Sequence, residues 1–148
     1  MQLDFITQFL PPYVSGFPAF GILILRLIWG SAMVLYGWTK VKNPFNWMKE
    51  EGMPEFPSIL QLLGALAVFG GGIAIIAGFM TPLAALGIAV SMGIALSIHW
   101  TVFHDPFVKY PPNQPGPSYD VPFIYFAIAL MFIFLGPGKL SIDYLLFG

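Results

Sequence analysis

Arg26 stands near the middle of an otherwise apolar run, about eight residues from its start. Its guanidinium brings several fixed donors and a permanent charge to a depth where charge is costly, so it must face protein, water or a ligand. An arginine so placed can hold an anion, polarise a carbonyl or hydrogen-bond a quinone oxygen. Ser91, His99 and Tyr125 could also donate hydrogen bonds to quinone oxygens between the apolar helices. Together these four make a candidate ligand-binding set of the kind in which a few polar groups converge on an apolar pocket.

Other chemistries find little to work with. His99 and His104 are the only histidines, and five residues apart on a helix they point in different directions. The four-residue spacing that converges two imidazoles on a metal is missing, and no third strong ligand stands nearby. A bis-histidine haem needs ligands from facing helices. A satisfied histidine is the expectation, with a proton relay as its functional alternative. No Ser-His-Asp order and no paired carboxylates emerge, and Gly70-Gly71-Gly72 lies inside an apolar span, where it cannot cradle phosphate. The chain has no cysteine, which removes disulfides, thiolate metal sites and iron–sulfur ligation. No metal, no intrinsic cofactor and no catalytic residue are expected. A bound quinone or lipid is the ligand class left open.

Four apolar stretches must position these groups, at about 17–38, 57–79, 82–103 and 121–135. A bilayer core of about 30 Å needs about 20 apolar residues per helix, so three stretches fit outright and the fourth is short. Hydrophobic residues make up 57% of the chain and charged residues 9%, well below the quarter or so usual in soluble domains. The expected fold is all-α: a polytopic membrane four-helix bundle with short interfacial helices, forming a single domain over residues 1–148. A net charge of −1 and the absence of any basic run leave no footprint for nucleic acid.

The connections are legible in outline. The first residues lack the basic start of a signal peptide, and their alternation of Met1, Leu3, Phe5 and Ile6 with Gln2, Asp4 and Thr7 fits either a surface helix or a frayed tail. Thr39 to Phe56 mixes lysines and glutamates with Phe45, Trp47 and Met48, a headgroup composition for which a surface helix is expected. Met80-Thr81-Pro82 is so short that the second and third helices must form an antiparallel hairpin. His104 to Asp120 is rich in proline and cannot be helical. Gly136-Pro137-Gly138 stops the fourth helix, and Ser141 can cap a last interfacial turn. Lys40, Lys42, Lys49 and Lys109 lie in the two longer connections and only Lys139 opposite, so the positive-inside rule places those connections in the cytoplasm.

Arg26, Gly30, Met33, Gly37 and Lys40 recur at helical spacing and form one inward stripe. Small residues repeat along the third span at Gly87, Ser91 and Ala95, a spacing expected to pack helix against helix. Gly70, Gly71, Gly72 and Ser91 share the level of Arg26, so their carbonyls and the hydroxyl are its expected holders. Asp105 or Asp120 folding inward, solvent or a ligand are the alternatives. A second polar level at the opposite end holds Lys40, Gln61, His99, His104, Asp105 and Asp120.

The segments "RLIWGSAMVLYGWTKV", "GGIAIIAGFMTPLAAL", "HWTVFHDPFVK" and "GPGKLSID" resemble the DoxX family of small four-helix membrane proteins. The resemblance places family positions on Arg26, Gly30, Gly37 and Lys40, on Gly71, Gly72 and Gly78, and on His104, Asp105, Pro106 and Phe107. It departs where many members carry a glutamate before the glycine pair and this chain has Val68 and Phe69. It implies association with membrane oxidoreductase complexes of the bacterial cytoplasmic membrane. The leading expectation is a non-catalytic subunit that anchors or stabilises a respiratory, sulfur-oxidising or photosynthetic complex, with the bilayer and other membrane subunits as partners and no activity on its own. A quinone-binding oxidoreductase component is the alternative. A small-molecule or lipid transporter is the third, and it is the least favoured, because the break expected at Gly70–Gly72 has no counterpart at the same depth of another helix.

Overall fold

The computed structural model describes residues 11–49, 52–109 and 116–148. These form α1 (Phe17–Val41), α2 (Ser58–Ala77), α3 (Thr81–Thr101), α4 (Asp120–Leu135) and the short α5 (Ile142–Phe147). The first three are long and apolar enough to cross a bilayer, and α4 is shorter. The molecule is thus an all-α bundle whose lipid-facing surface is covered with exposed side chains such as Phe20, Ile28, Leu35, Val90 and Phe134. The amphipathic reading of the N-terminus falls on residues 1–10, which lie outside the described residues.

Proline starts and glycine stops set the helix ends. Pro18 opens α1 and Pro82 opens α3, where the missing N–H costs nothing. Gly78 ends α2 in the left-handed conformation, its N–H closing on Ile75 while that of Phe79 closes on Ala74. The surface helix expected between α1 and α2 is not seen among the described residues. Its described residues make successive turns through Asn43 and Pro44, and its polar groups are taken by Gln61 of α2. Trp47 Nε1 donates to the Gln61 carbonyl at 2.8 Å, and the Met48 N–H donates to Gln61 Oε1 at 3.1 Å. A long-range anchor outcompetes the local helix. Gly70–Gly72 does not break α2 either, since the helix runs through it without interruption.

The bundle is built from two extensively packed pairs, α1 with α2 and α3 with α4, joined by the lesser α2/α3 contact of the hairpin. Glycine makes the first pair close. An added Cβ at Gly37 would lie 2.5 Å from the Phe69 backbone, and one at Gly72 would lie 2.8 Å from Val34 N. Backbones that approach this way gain dispersion and weak polar contacts in a medium where the hydrophobic effect is absent. Trp29 stacks on Phe132 at 5.3 Å, tying α1 to α4 through the core. The inward stripe of α1 is as expected, with Arg26, Gly30, Met33 and Gly37 all buried.

A contrast between two glycines follows. Gly37→Ala is expected to force α1 from α2 and destabilise the bundle by about 2 kcal/mol, the usual penalty of overpacking. Gly70 has nothing within 4 Å of the position a Cβ would take, so Gly70→Ala should be neutral or gain a few tenths of a kcal/mol from helix propensity. Thermal unfolding in a mild detergent separates the two. Equal midpoints would show that the close approach at Gly37 carries no weight.

Candidate functional site

Arg26 is 2% exposed, and among the described residues its guanidinium is held by backbone oxygens. Nε donates to the Ile75 carbonyl at 2.9 Å and Nη2 to that of Ile76 at 2.8 Å. Nη1 donates to Leu140 at 2.6 Å and to Pro137 at 3.1 Å. Ile75 and Ile76 belong to the last turn of α2, whose carbonyls lack i+4 helical partners, that of Ile75 taking only the capping Gly78 N–H, and carry the negative end of the helix dipole, so a cation there is doubly favoured. Pro137 and Leu140 come from the loop between α4 and α5. One side chain of α1 thereby locks the end of α2 to the chain's C-terminal segment.

The expected holders are corrected. Arg26 does not reach the carbonyls of Gly70–Gly72, Ser91, Asp105 or Asp120. Side chains on a helix lean toward its N-terminus, and a long arginine carries its charge about one turn back toward the hairpin end, past Gly72 to Ile75. Gly72 instead meets α1, where a Cβ would fall 2.9 Å from that of Met33, and Gly71 meets Ile88 of α3. The Ser91 hydroxyl donates to the Gly87 carbonyl of its own helix at 3.0 Å.

Asp143 mirrors Arg26 on the other side of the hairpin turn. It is 5% exposed, and its carboxylate accepts from the N–H groups of Met80 at 2.6 Å and Thr81 at 2.9 Å. Those are orphan donors at the positive end of α3, so an anion caps α3 where a cation caps α2. The Asp143 N–H donates to the Gly78 carbonyl at 2.8 Å, closing the turn from a third direction. Ser141 caps α5 as expected, accepting from Tyr144 N at 3.2 Å. Tyr13 donates to the Asp143 carbonyl at 3.1 Å. Burial first, and the nearby charge of Asp143 second, hold the Tyr13 hydroxyl above the ordinary phenol range. The role of Asp143 has no local signature: its partners lie 62 and 63 residues away in the chain.

At the far end, His99 Nδ1 hydrogen-bonds Asp105 Oδ2 at 2.6 Å, and the Asp105 N–H donates to the His99 carbonyl. His104, exposed and at a left-handed φ of 52°, makes the bend that brings Asp105 back. Pro106 and Phe107 then offer their carbonyls to Tyr119 and Asp120, seating the start of α4. Ser118 donates to the Asp120 carboxylate at 2.6 Å.

Between α2 and α3 runs a cavity of about 580 Å³, lined almost wholly by apolar side chains, with Ser91 along its length and Lys40 and His99 at its interfacial end. Its volume is that of a small-molecule site. The Lys40 ammonium rests 3.6 Å from the centre of the Trp47 ring, a cation–π contact at the mouth. Gly87, Ser91 and Ala95 face this cavity, although a Cβ added at Gly87 would lie in ordinary contact with Ala67, 3.4 Å from its Cβ. The stripe expected to seal helix to helix therefore lines a groove along part of its length. Of the four candidate ligand-binding residues, Ser91 and His99 line the groove, while Arg26 is in the clasp and Tyr125 packs edge-on against Tyr36 at 5.6 Å.

An apolar helical bundle clasped by an intramembrane arginine is an integral membrane protein that contacts lipid on its outer faces. The DoxX family model matches residues 21–104, which include Arg26, both α2 carbonyls that it binds, and His99. The chain belongs to the DoxX family. No curated protein and no solved structure matches it.

Proposed function

We propose that this chain is a non-catalytic subunit of the bacterial cytoplasmic membrane that anchors or stabilises a larger redox complex, respiratory, sulfur-oxidising or photosynthetic. The observation that carries this reading is the use made of Arg26. The cation best placed to hold a substrate has its donors committed to four carbonyls of its own fold. The polar groups of the hairpin end do structural work, and what the bundle offers its surroundings is a broad apolar surface. A quinone-handling role has less support, because Arg26 and Tyr125 lie away from the groove that Ser91 and His99 share.

Capture of the tagged chain from membranes solubilised in mild detergent, followed by native gel separation and mass spectrometry, tests the proposal. The chain is expected to migrate in a stable assembly with a redox subunit at fixed stoichiometry. Migration alone, or only with copies of itself, under every mild condition would overturn it.

A further inference from the structure

The C-terminal segment that clasps the hairpin also turns an apolar face outward. We infer that α5 is a leaflet anchor, seated with the hairpin turn among the lipids of one leaflet at the boundary between headgroups and acyl chains. Ile142, Leu145 and Leu146 stand three and four residues apart, which puts them on one face of α5. All three are exposed, Leu145 by 81%. The other face is pinned through Asp143, buried where it accepts the N–H groups of Met80 and Thr81. Phe79 and Met80, in the turn that Asp143 closes, are exposed as well. These side chains lie together at the hairpin end and form an apolar patch of the kind that marks an interaction site.

Depth identifies what covers the patch. From Phe17 to Arg26 α1 rises by about 14 Å at 1.5 Å per residue, and the backward lean of the arginine returns its charge by about one turn, about 5 Å. The guanidinium, and the Leu140 carbonyl that it binds, therefore lie about 8 Å inside the level at which α1 begins. Phe17, 89% exposed, and the exposed Phe20 carry the lipid-facing surface of α1 out to that level. Lipid that covers them also closes around α5, which begins at Ile142. The depth matches the 5 to 10 Å or so to which the apolar face of an interfacial helix sinks. The flanking residues suit the same zone: the Tyr144 ring lies 5.2 Å from that of Tyr13, with the Lys139 ammonium 5.4 Å away. Tyrosines sit at headgroup level, and a lysine stem is long enough to carry its charge there. Backbone groups at this depth need partners within the protein, and the clasp supplies them. Arg26 takes the Leu140 carbonyl and Gly78 takes the Asp143 N–H.

The chain has no cysteine, so a nitroxide can be attached at one introduced residue at a time. Leu145→Cys and Leu146→Cys, spin-labelled and reconstituted in vesicles of phosphatidylethanolamine and phosphatidylglycerol, test the inference through collisions with oxygen, which enters the bilayer, and with a water-soluble nickel chelate. Both labels are expected at a depth of about 5 to 10 Å. Leu35→Cys, on the exposed middle of α1, should report a deeper site, and Pro117→Cys, exposed before α4, a wet one. A phospholipid with a diazirine near its glycerol should crosslink the unmodified chain within residues 140–147, and one with the diazirine at its acyl terminus should not. That second measurement decides the matter if a variant fails to fold. Nickel collisions at 145 and 146 equal to those at 117 would leave the patch in water, as a seat for a soluble protein, and overturn the inference. Shielding of both labels from both reagents, or no crosslink within residues 140–147, would overturn it too. The vesicles hold no other protein, so the outcome is separate from that of the capture of a redox complex.

Discussion

Arg26→Leu is expected to lower the stability of the bundle by about 3 to 5 kcal/mol and its unfolding midpoint by on the order of 10 °C. Each of its four hydrogen bonds is charge-assisted, a class worth about 1.5 to 3 kcal/mol, and the substitution strands the carbonyls of Ile76, Pro137 and Leu140, that of Ile75 keeping the Gly78 N–H. Against this stands the cost of holding an arginine within the membrane, about 2.5 to 3.5 kcal/mol on insertion scales, which leucine removes. The loss exceeds the relief because the carbonyls stay buried after the charge has gone. Arg26→Lys keeps the charge but replaces a planar fork with a compact ammonium that cannot span all four oxygens. It should recover about half of the loss. Circular dichroism melts of the purified variants in one detergent measure both. An Arg26→Leu protein that melts like the wild type but no longer captures its partner would instead make Arg26 a recognition residue and overturn its structural assignment.

The same residue shows how far the sequence could be read. Its inward direction was legible, because Arg26, Gly30, Met33 and Gly37 repeat with helical period and all four are buried. Its partners were not, because a backbone carbonyl carries no side-chain signature. Counting residues gave the level of the Arg26 Cα and missed the lean of the side chain that moves the charge by about a turn. The connection from Thr39 to Phe56 teaches the complementary lesson. Its mixture of aromatics and charges marks a connection between apolar helices, but Gln61, a residue of the next helix, supplies the hydrogen bonds that decide its shape. The stripe at Gly87, Ser91 and Ala95 has the spacing of a helix contact, yet along part of its length it lines a groove. Whether small residues seal or open a seam depends on what the partner helix presents, and one helix read alone does not contain that information. Belonging to the DoxX family was readable from the motifs themselves, while the use of "GPGKLSID" as a clasp on two other helices emerged only from the geometry.

Asp143→Asn is expected to cost about 2 to 3 kcal/mol, nearly as much as a lesion at Arg26, although Asp143 belongs to a helix of only six residues. The carboxylate serves two N–H donors with two oxygens. Asparagine keeps one acceptor and turns an NH2 group toward the other donor, so one charge-assisted bond is lost, worth about 1.5 to 3 kcal/mol. The favourable meeting of a negative charge with the α3 N-terminus goes too, about 0.3 to 1 kcal/mol or somewhat more when partly buried. Met80 magnifies the effect. Its φ of 46° is a left-handed conformation rare for a side chain of its size, and Asp143 accepts the N–H of that same residue. Release of Met80 should loosen the first turn of α3, so amide exchange at Met80 and Thr81 should accelerate by about tenfold for each 1.4 kcal/mol lost. The lesion should also couple to Arg26. Gly78 lies between the two, within 2.5 Å of the Arg26 guanidinium when given a Cβ, and its carbonyl accepts the Asp143 N–H. Once either charge is removed, residues 136–143 lose one of their holds on the hairpin and the second hold weakens. The double variant Arg26→Leu with Asp143→Asn should therefore cost about 1 kcal/mol less than the sum of the single costs. Strict additivity would mean that α2 and α3 are capped independently, and that the C-terminal segment is not one clasp but two unrelated contacts.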